Sequence, residues 1–356
     1  MGVELMSDFN TIYSPGGKIS STANWMRQYR VKIYQHTVST PQKTDNYNQA
    51  FAQPKTSDIV LDVSNLRVVF SIRRAALYYP NQAQITIYNL NAKTENSIIQ
   101  EGYRVIVEAG YGNNYGQIFD GTVLMCNRFK QDGTDYILNI LAIDGDQFIN
   151  EGFCSFTYAK GQTARDVVQN IANQASNPIQ LKYASPVLDT IKLSKGIAVH
   201  GSVKTTLSNI AKTINGTWFV DNGELYVIAY SDNSAKLPMG NQAVELSEKT
   251  GLIGNPQQVQ YGVAARCLLN PKIMPYGLIH IKNDLITGKL AEIGDYSHGP
   301  TIPPVLDPAG IYRVCSVAFS GDTRGNAWYA DIVAVNQGGK ESSIMAMLTS
   351  PEYTGN

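Results

Sequence analysis

Apolar and polar residues alternate through Tyr29–Tyr34, the period-two pattern of a half-buried strand. The pattern recurs in Leu66–Ile72, Gln84–Tyr88, Arg104–Ala109, Gln117–Cys126 and Tyr136–Ile143. Turn-forming residues separate these runs at Pro80-Asn81, Asn89–Asn91, Gly110–Gly116 and Gln131–Gly133. Short strands at such regular spacing predict a β-barrel or sandwich. One short helix is predicted after Asn91, with Thr94 as its cap and Ile98 and Ile99 facing inward.

The period changes in residues 160–230. Thr163 and Asp166 form a capping-box variant ahead of Val167, Val168, Ile171, Ala172 and Ala175, which share one helical face. A second helix is predicted from Ser202, with Val203, Leu207, Ile210, Ala211 and Ile214 at helical spacing, and Asn215-Gly216 stops it. Thr217–Val220, the turn Asp221-Asn222-Gly223 and Glu224–Ile228 then read as a hairpin. After a linker at 231–243, strand patterning returns in Val259–Leu269, Leu278–Lys282, Gly310–Ser320 and Ala327–Asn336. Residues 38–57 form a long polar excursion between strands, of the kind that binds something.

The predicted fold is therefore mainly β with an α+β insertion. Its parts are a flexible N-terminal arm at 1–24, a first β-barrel domain at 25–155, the α+β insertion at 156–232, a second β-barrel domain at 244–340 and a C-terminal tail at 341–356.

Composition narrows the function classes. Only 16% of the 356 residues are charged, against roughly 25% in an average soluble protein, while 43% are hydrophobic and 21 are Tyr. Tyr enrichment with charge depletion resembles the centres of protein–protein interfaces. The 29 basic and 29 acidic residues cancel, so there is no basic face to grip a phosphate backbone. Arg73-Arg74 is the densest basic pair and reads as a solvated strand end. Cys126, Cys154, Cys267 and Cys315 have neither zinc-knuckle nor disulfide-framework spacing and read as free thiols, which fits assembly in a reducing cytoplasm. No apolar leader opens the chain and no run reaches the roughly 18 apolar residues of a membrane span, so neither export nor stable membrane insertion is expected.

No constellation carries chemistry. His36, His200, His280 and His298 show no metal-ligand spacing, and His280 reads as an ordinary strand residue. Gly110–Gly116 lacks the Lys-Ser/Thr of a phosphate loop and reads as a hairpin turn. Asp144-Gly145-Asp146 lacks further acids at calcium-loop spacing and reads as a solvated turn. No catalytic, cofactor-binding or metal-ligating residue is assigned. Two turns stand out: Leu268–Ile273, where a strand ends at Asn270-Pro271, and Gly321–Asn326, which presents Asp322 and Arg324 either as a turn-stabilising ion pair or as a key for a neighbouring subunit.

Three runs taken in order carry a resemblance: Pro80–Leu90 with Ala83, Ile85, Ile87 and Tyr88; Gly102–Tyr111 with Arg104, Val105, Val107 and Ala109; and Ile118-Phe119 with Gly121. Asp135–Leu138, Ala142–Gly145, Asn215–Trp218, Leu268–Pro271 and Gly321–Trp328 continue it. The order resembles the baseplate hub proteins of contractile phage tails, nearest those of Mu-like phages and more distantly the T4 hub and the N-terminal region of the type VI secretion spike. The resemblance implies two barrel-like hub domains of the tail-tube type and a non-enzymatic homotrimer in the virion baseplate. Its implied partners are the central spike, the tail tube or a tube-initiator protein, other baseplate proteins, and DNA only in transit through the lumen. It implies no cofactor. The alternatives are a tail-associated cell-wall hydrolase and a carbohydrate-binding adhesin.

Overall fold

The computed structural model describes residues 26–35, 59–91, 102–131, 135–176, 178–232, 237–238, 243–259, 262–287 and 306–336. The N-terminal arm, the 38–57 excursion, the helix expected after Asn91 and the tail from Gln337 lie outside them.

The first β segment runs β1 (Arg27–Gln35), β2 (Ile59–Asp62), β3 (Val68–Ala75), β4 (Asn81–Tyr88), β5 (Arg104–Tyr111), β6 (Asn114–Gln131) and β7 (Asp135–Asp144). The insertion follows as α1 (Asp146–Ile149), β8 (Phe153–Tyr158), α2 (Ala164–Gln174), β9 (Gln180–Ala184), α3 (Val187–Thr190), β10 (Ile197–Ser202), α4 (Val203–Thr213), β11 (Gly216–Asp221) and β12 (Glu224–Ala229). The second β segment is β13 (Val244–Leu246), β14 (Leu252–Val259), β15 (Gly262–Leu268), β16 (Leu278–Ile281), β17 (Ile311–Asp322) and β18 (Trp328–Asn336).

Alternation sets which way each strand faces. In β4, Ala83, Ile85 and Ile87 are buried while Gln82 and Gln84 face out. In α2 the buried face is Val167, Val168, Ile171 and Ala172, and Thr163 and Asp166 close the expected capping box. The β11–β12 hairpin turns on Asn222 (φ 52°) and Gly223 (φ 74°), both left-handed as a two-residue hairpin turn requires. The insertion packs its helices on two small sheets, β10–β8 and β11–β12–β9, in which β9 joins β12 in parallel. Its core gathers Phe148, Val168, Ile171, Leu207 and Trp218, and the Trp218 indole N–H donates to Ser208 Oγ at 3.1 Å.

The two β segments repeat one topology. The first has the neighbour order β3-β4-β7-β6-β5 and the second β14-β15-β18-β17-β16, antiparallel throughout. The long strand of each set, β6 or β17, carries a bulge at the matching place, between Val123 and Met125 or between Val314 and Ser316. A bulge bends its strand and sharpens its twist, so each long strand serves one neighbour before it and points elsewhere after it. β13 departs from the match by pairing parallel to β16, where β1 is antiparallel to β5.

The segments read from sequence as separate sheets are hydrogen-bonded into one. Past its bulge, Ser316–Asp322 of β17 pairs antiparallel with Ala75–Val69 of β3. One core runs under the seam, where Phe70, Phe319 and Trp328 are buried and the Phe70 and Trp328 rings meet edge to face at 5.4 Å. Fully burying a side chain of this size contributes about 1.5–3 kcal/mol. Gly321 is required at the seam, because a Cβ there would run into the Phe70 ring. Gly321→Val should therefore cost about 1–3 kcal/mol through overpacking, measured as a lower denaturation midpoint with an unchanged m-value.

Candidate functional site

The densest polar contacts join the β segments to each other and to the insertion. Arg74 is 1% exposed and grips Asp221 with two bonds, Nε to Oδ1 at 2.8 Å and Nη2 to Oδ2 at 2.5 Å. Asn81 Nδ2 donates to Asp221 Oδ1 at 3.2 Å and to the Val220 carbonyl at 3.0 Å. Asp144 accepts the backbone N–H groups of Asn222 and Gly223 at 2.6 and 2.9 Å. The tip of the insertion's hairpin is thus plugged into the first β segment, its outward N–H groups satisfied by a carboxylate and its own carboxylate held by an arginine. Gly145 (φ 71°) clears the plug, since a Cβ there would press on Val220. Beside it, Arg104 holds Asp120 in two bonds of 2.7 and 2.6 Å.

Two sequence readings are corrected here. Arg74 is not a solvated strand end, because the insertion covers it and supplies Asp221 as counter-ion. Asp144 is not in a solvated turn; it is 1% exposed beneath the β11–β12 hairpin. Burial, then the nearby Asp221 and Asp120 charges, push the Asp144 carboxyl well above its ordinary 3.8, outweighing its two backbone hydrogen bonds. Three acids converge, yet all are buried and bonded. Among the described residues, no three of His, Cys, Asp and Glu are grouped to hold a metal ion.

The Gly321–Asn326 turn is a joint within the chain. Asp322 makes its ion pair with Arg67 at 2.8 Å and takes from Arg324 the backbone N–H, at 2.9 Å. The Arg67 hydrogen bond holds the Asp322 carboxyl below the usual range. Arg324 Nη2 donates to the Asn65 carbonyl at 3.2 Å, and Arg27 donates to the carbonyls of Gly325 and Asn326 at 2.6 and 3.0 Å. The remaining sequence candidates are local. Gly110–Gly116 makes the tight turn between β5 and β6, Asn270 caps its own turn by accepting from the Lys272 N–H at 3.0 Å, and His280 of β16 meets Glu245 at 2.5 Å.

Among the described residues, two apolar surfaces stand out. An apolar cleft of about 510 Å³ on the insertion is lined by Val167, Ile191, Leu193, Ile197, Val199 and Ile210, among others. The outer half of the β6–β7 hairpin exposes Leu124, Met125, Phe129 and Tyr136, with Arg128 over the Tyr136 ring at 4.7 Å.

The buried network supports two predictions. Arg74→Met leaves the Asp221 charge buried without its counter-ion and should cost about 3–5 kcal/mol; adding Asp221→Leu should restore part of that loss in the same denaturation assay. Asp144, with its folded pKa raised, binds more protons folded than unfolded. Its contribution to stability is complete below the ordinary 3.8 and is lost as pH rises through the folded value. Unfolding measured across that window should show a smaller loss with rising pH in Asp144→Asn than in the wild type.

A family model described as baseplate hub gp41 matches residues 49–286, about two thirds of the chain. A tail protein from Neisseria meningitidis MC58 is 10% identical, with a TM-score of 0.51 over 89% of this chain and 99% of that one, a likeness of fold. The 43 kDa tail protein of prophage MuSo2 from Shewanella oneidensis is 11% identical, with a TM-score of 0.47 over 80% of this chain and 95% of that one. The E. coli c3393 protein, described as a type VI secretion component structurally similar to T4 tail proteins gp27 and gp5, gives 11% and 0.47 over 77% of this chain and 75% of that one. No curated protein matches.

Proposed function

This chain belongs to the baseplate hub gp41 family, and from that premise we propose that it is a non-enzymatic adaptor, three copies of which form a ring joining the sixfold tail tube to the threefold central spike. The observation that carries the reading is the repeated strand order, β3-β4-β7-β6-β5 and β14-β15-β18-β17-β16, in one chain. Three copies of a protein with two like modules offer six like positions to a tube while keeping threefold symmetry for a spike. That is the simplest way for one polypeptide to bridge the mismatch.

The rest of the chain suits a load-bearing ring. The seam and the buried Arg74–Asp221 plug fasten the β modules and the insertion together, so force on one part is passed to the others. A net charge of zero gives a lumen little affinity for a passing polyanion. The ring holds the spike until the sheath contracts, after which its lumen is a conduit for DNA. The assembly sits in the virion baseplate, put together in the host cytoplasm. The converging acids do not favour a hydrolase, because Asp120, Asp144 and Asp221 are each closed off by a partner.

Electron cryomicroscopy of the full chain mixed with the spike protein of the same tail should show rings of three copies with six β modules around the axis. A chain that stays monomeric beside its spike would overturn the reading. Purified cell walls should not clear in a turbidity assay; clearing would point to the hydrolase instead.

A further inference from the structure

We propose that the apolar run Ile344–Leu348 of this chain's own C-terminal segment docks in the apolar cleft of the insertion and latches the end of the second β segment to it; the inference stands apart from the ring reading. The cleft lies between α2, the α3–β10 connection, β10 and α4 and measures about 510 Å³. That is within the roughly 300–1,000 Å³ of pockets that enclose a small, mostly apolar body. Ile191, Leu193, Ile197, Val199 and Ile210 line it, and each packs against the insertion's core while staying only half-buried. Five aliphatic side chains, from the α3–β10 connection, β10 and α4, thus stop short of burial around one hollow. Covering them takes apolar surface out of water, the main drive of association.

Sequence and position together name the occupant. Residues 337–356 lie outside the described residues, and in sequence they are polar except for Ile344-Met345-Ala346-Met347-Leu348 and Tyr353. Two Met residues suit an irregular aliphatic cleft, because an unbranched thioether adapts to gaps. The starting point of this segment is close to the cleft. Val335, near the end of β18, shares a buried cluster with Leu77 and Cys315, and Tyr230 packs against that cluster. The Tyr230 N–H donates to the Asn215 carbonyl at 3.1 Å, and the adjacent Ile214 lines the cleft. The eight residues from Asn336 to Ile344 reach up to about 26–29 Å, against a radius of gyration of about 12 Å for a module the size of the insertion. On so short a leader the run meets the cleft at an effective concentration of about millimolar, so it outcompetes the same run of a second copy.

The test uses the full chain. A photo-cross-linking residue at Met347 should capture peptides inside residues 164–214, and in a mixture of light- and heavy-isotope chains each captured pair should carry a single isotope. Capture outside that span would overturn the latch. Pairs of mixed isotope would overturn it too, and would give the cleft to a neighbouring copy. A full chain carrying Ile344→Asp and Leu348→Asp together should keep the circular dichroism of the wild type while freeing the cleft. A fluorescent peptide of residues 340–350 should then bind this variant at least ten-fold more tightly than the wild type, measured by anisotropy. Equal binding by the two proteins, or binding by neither, would sink the proposal.

Discussion

At Cys315 one strand changes partners, and the rest of the architecture depends on that change. β17 enters as Ile311–Val314 beside β16 and leaves as Ser316–Asp322 beside β3, with β18 along its other edge throughout. Without the bulge, a strand this long would stay in register with its first neighbour and the second segment would end in an open edge. With it, the two segments share a ladder and a core in which Phe70, Phe319 and Trp328 interlock. Cys315 itself is buried and its thiol is pushed up to about 12 by that burial, so it is inert as a nucleophile and acts by packing.

A shared sheet holds two β segments, but it does not hold the insertion, which has its own core around Trp218. That attachment is apolar on one side, where Phe219, Tyr226 and Ile228 pack with Ala76 and Tyr276, and polar at the hairpin tip. A buried arginine, two buried acids and an asparagine meet where the β11–β12 hairpin enters the first segment. Burying charge is costly, and an apolar plug of the same shape would match or exceed the stability. The polar plug offers geometry instead: two bonds to Asp221 and two backbone N–H groups to Asp144 admit one depth and one rotation of the hairpin. The raised Asp144 pKa is the remnant of that cost, set first by burial and then by the nearby Asp221 and Asp120 charges.

Much of this was legible in the chain and some was not, for physical reasons. Strands buried on one face alternate, so β1, β3 to β7 and β15 to β18 could be read, as could α2 with its capping box and the Asn222-Gly223 hairpin. β2, β9 and β13 are too short for a period to show, and β14 is broken by Gly254 and Pro256. Arg74 and Asp144 look solvated because charged residues almost always are; their burial depends on a hairpin about 80 or more residues away, which local pattern does not report. One signal was available for the plug: a two-residue turn flanked by an acid presents outward N–H groups that need an acceptor. The repeat escaped the letters because equivalent sites need only similar shape. Ala83 and Val263 hold matching places opposite Ala142 and Ala334, and no motif links them.

The same repeat bears on what kind of symmetry its joint could serve. A seam made of β3 on β17 is a contact between unlike edges, so the joint between the two β segments has a direction. Unlike edges cannot satisfy each other by a twofold axis; they add head to tail until the rotation per joint closes the circle or runs on as a filament. The geometry of the internal joint is set within the chain, by the bulge at Cys315 and the Phe70–Gly321 contact.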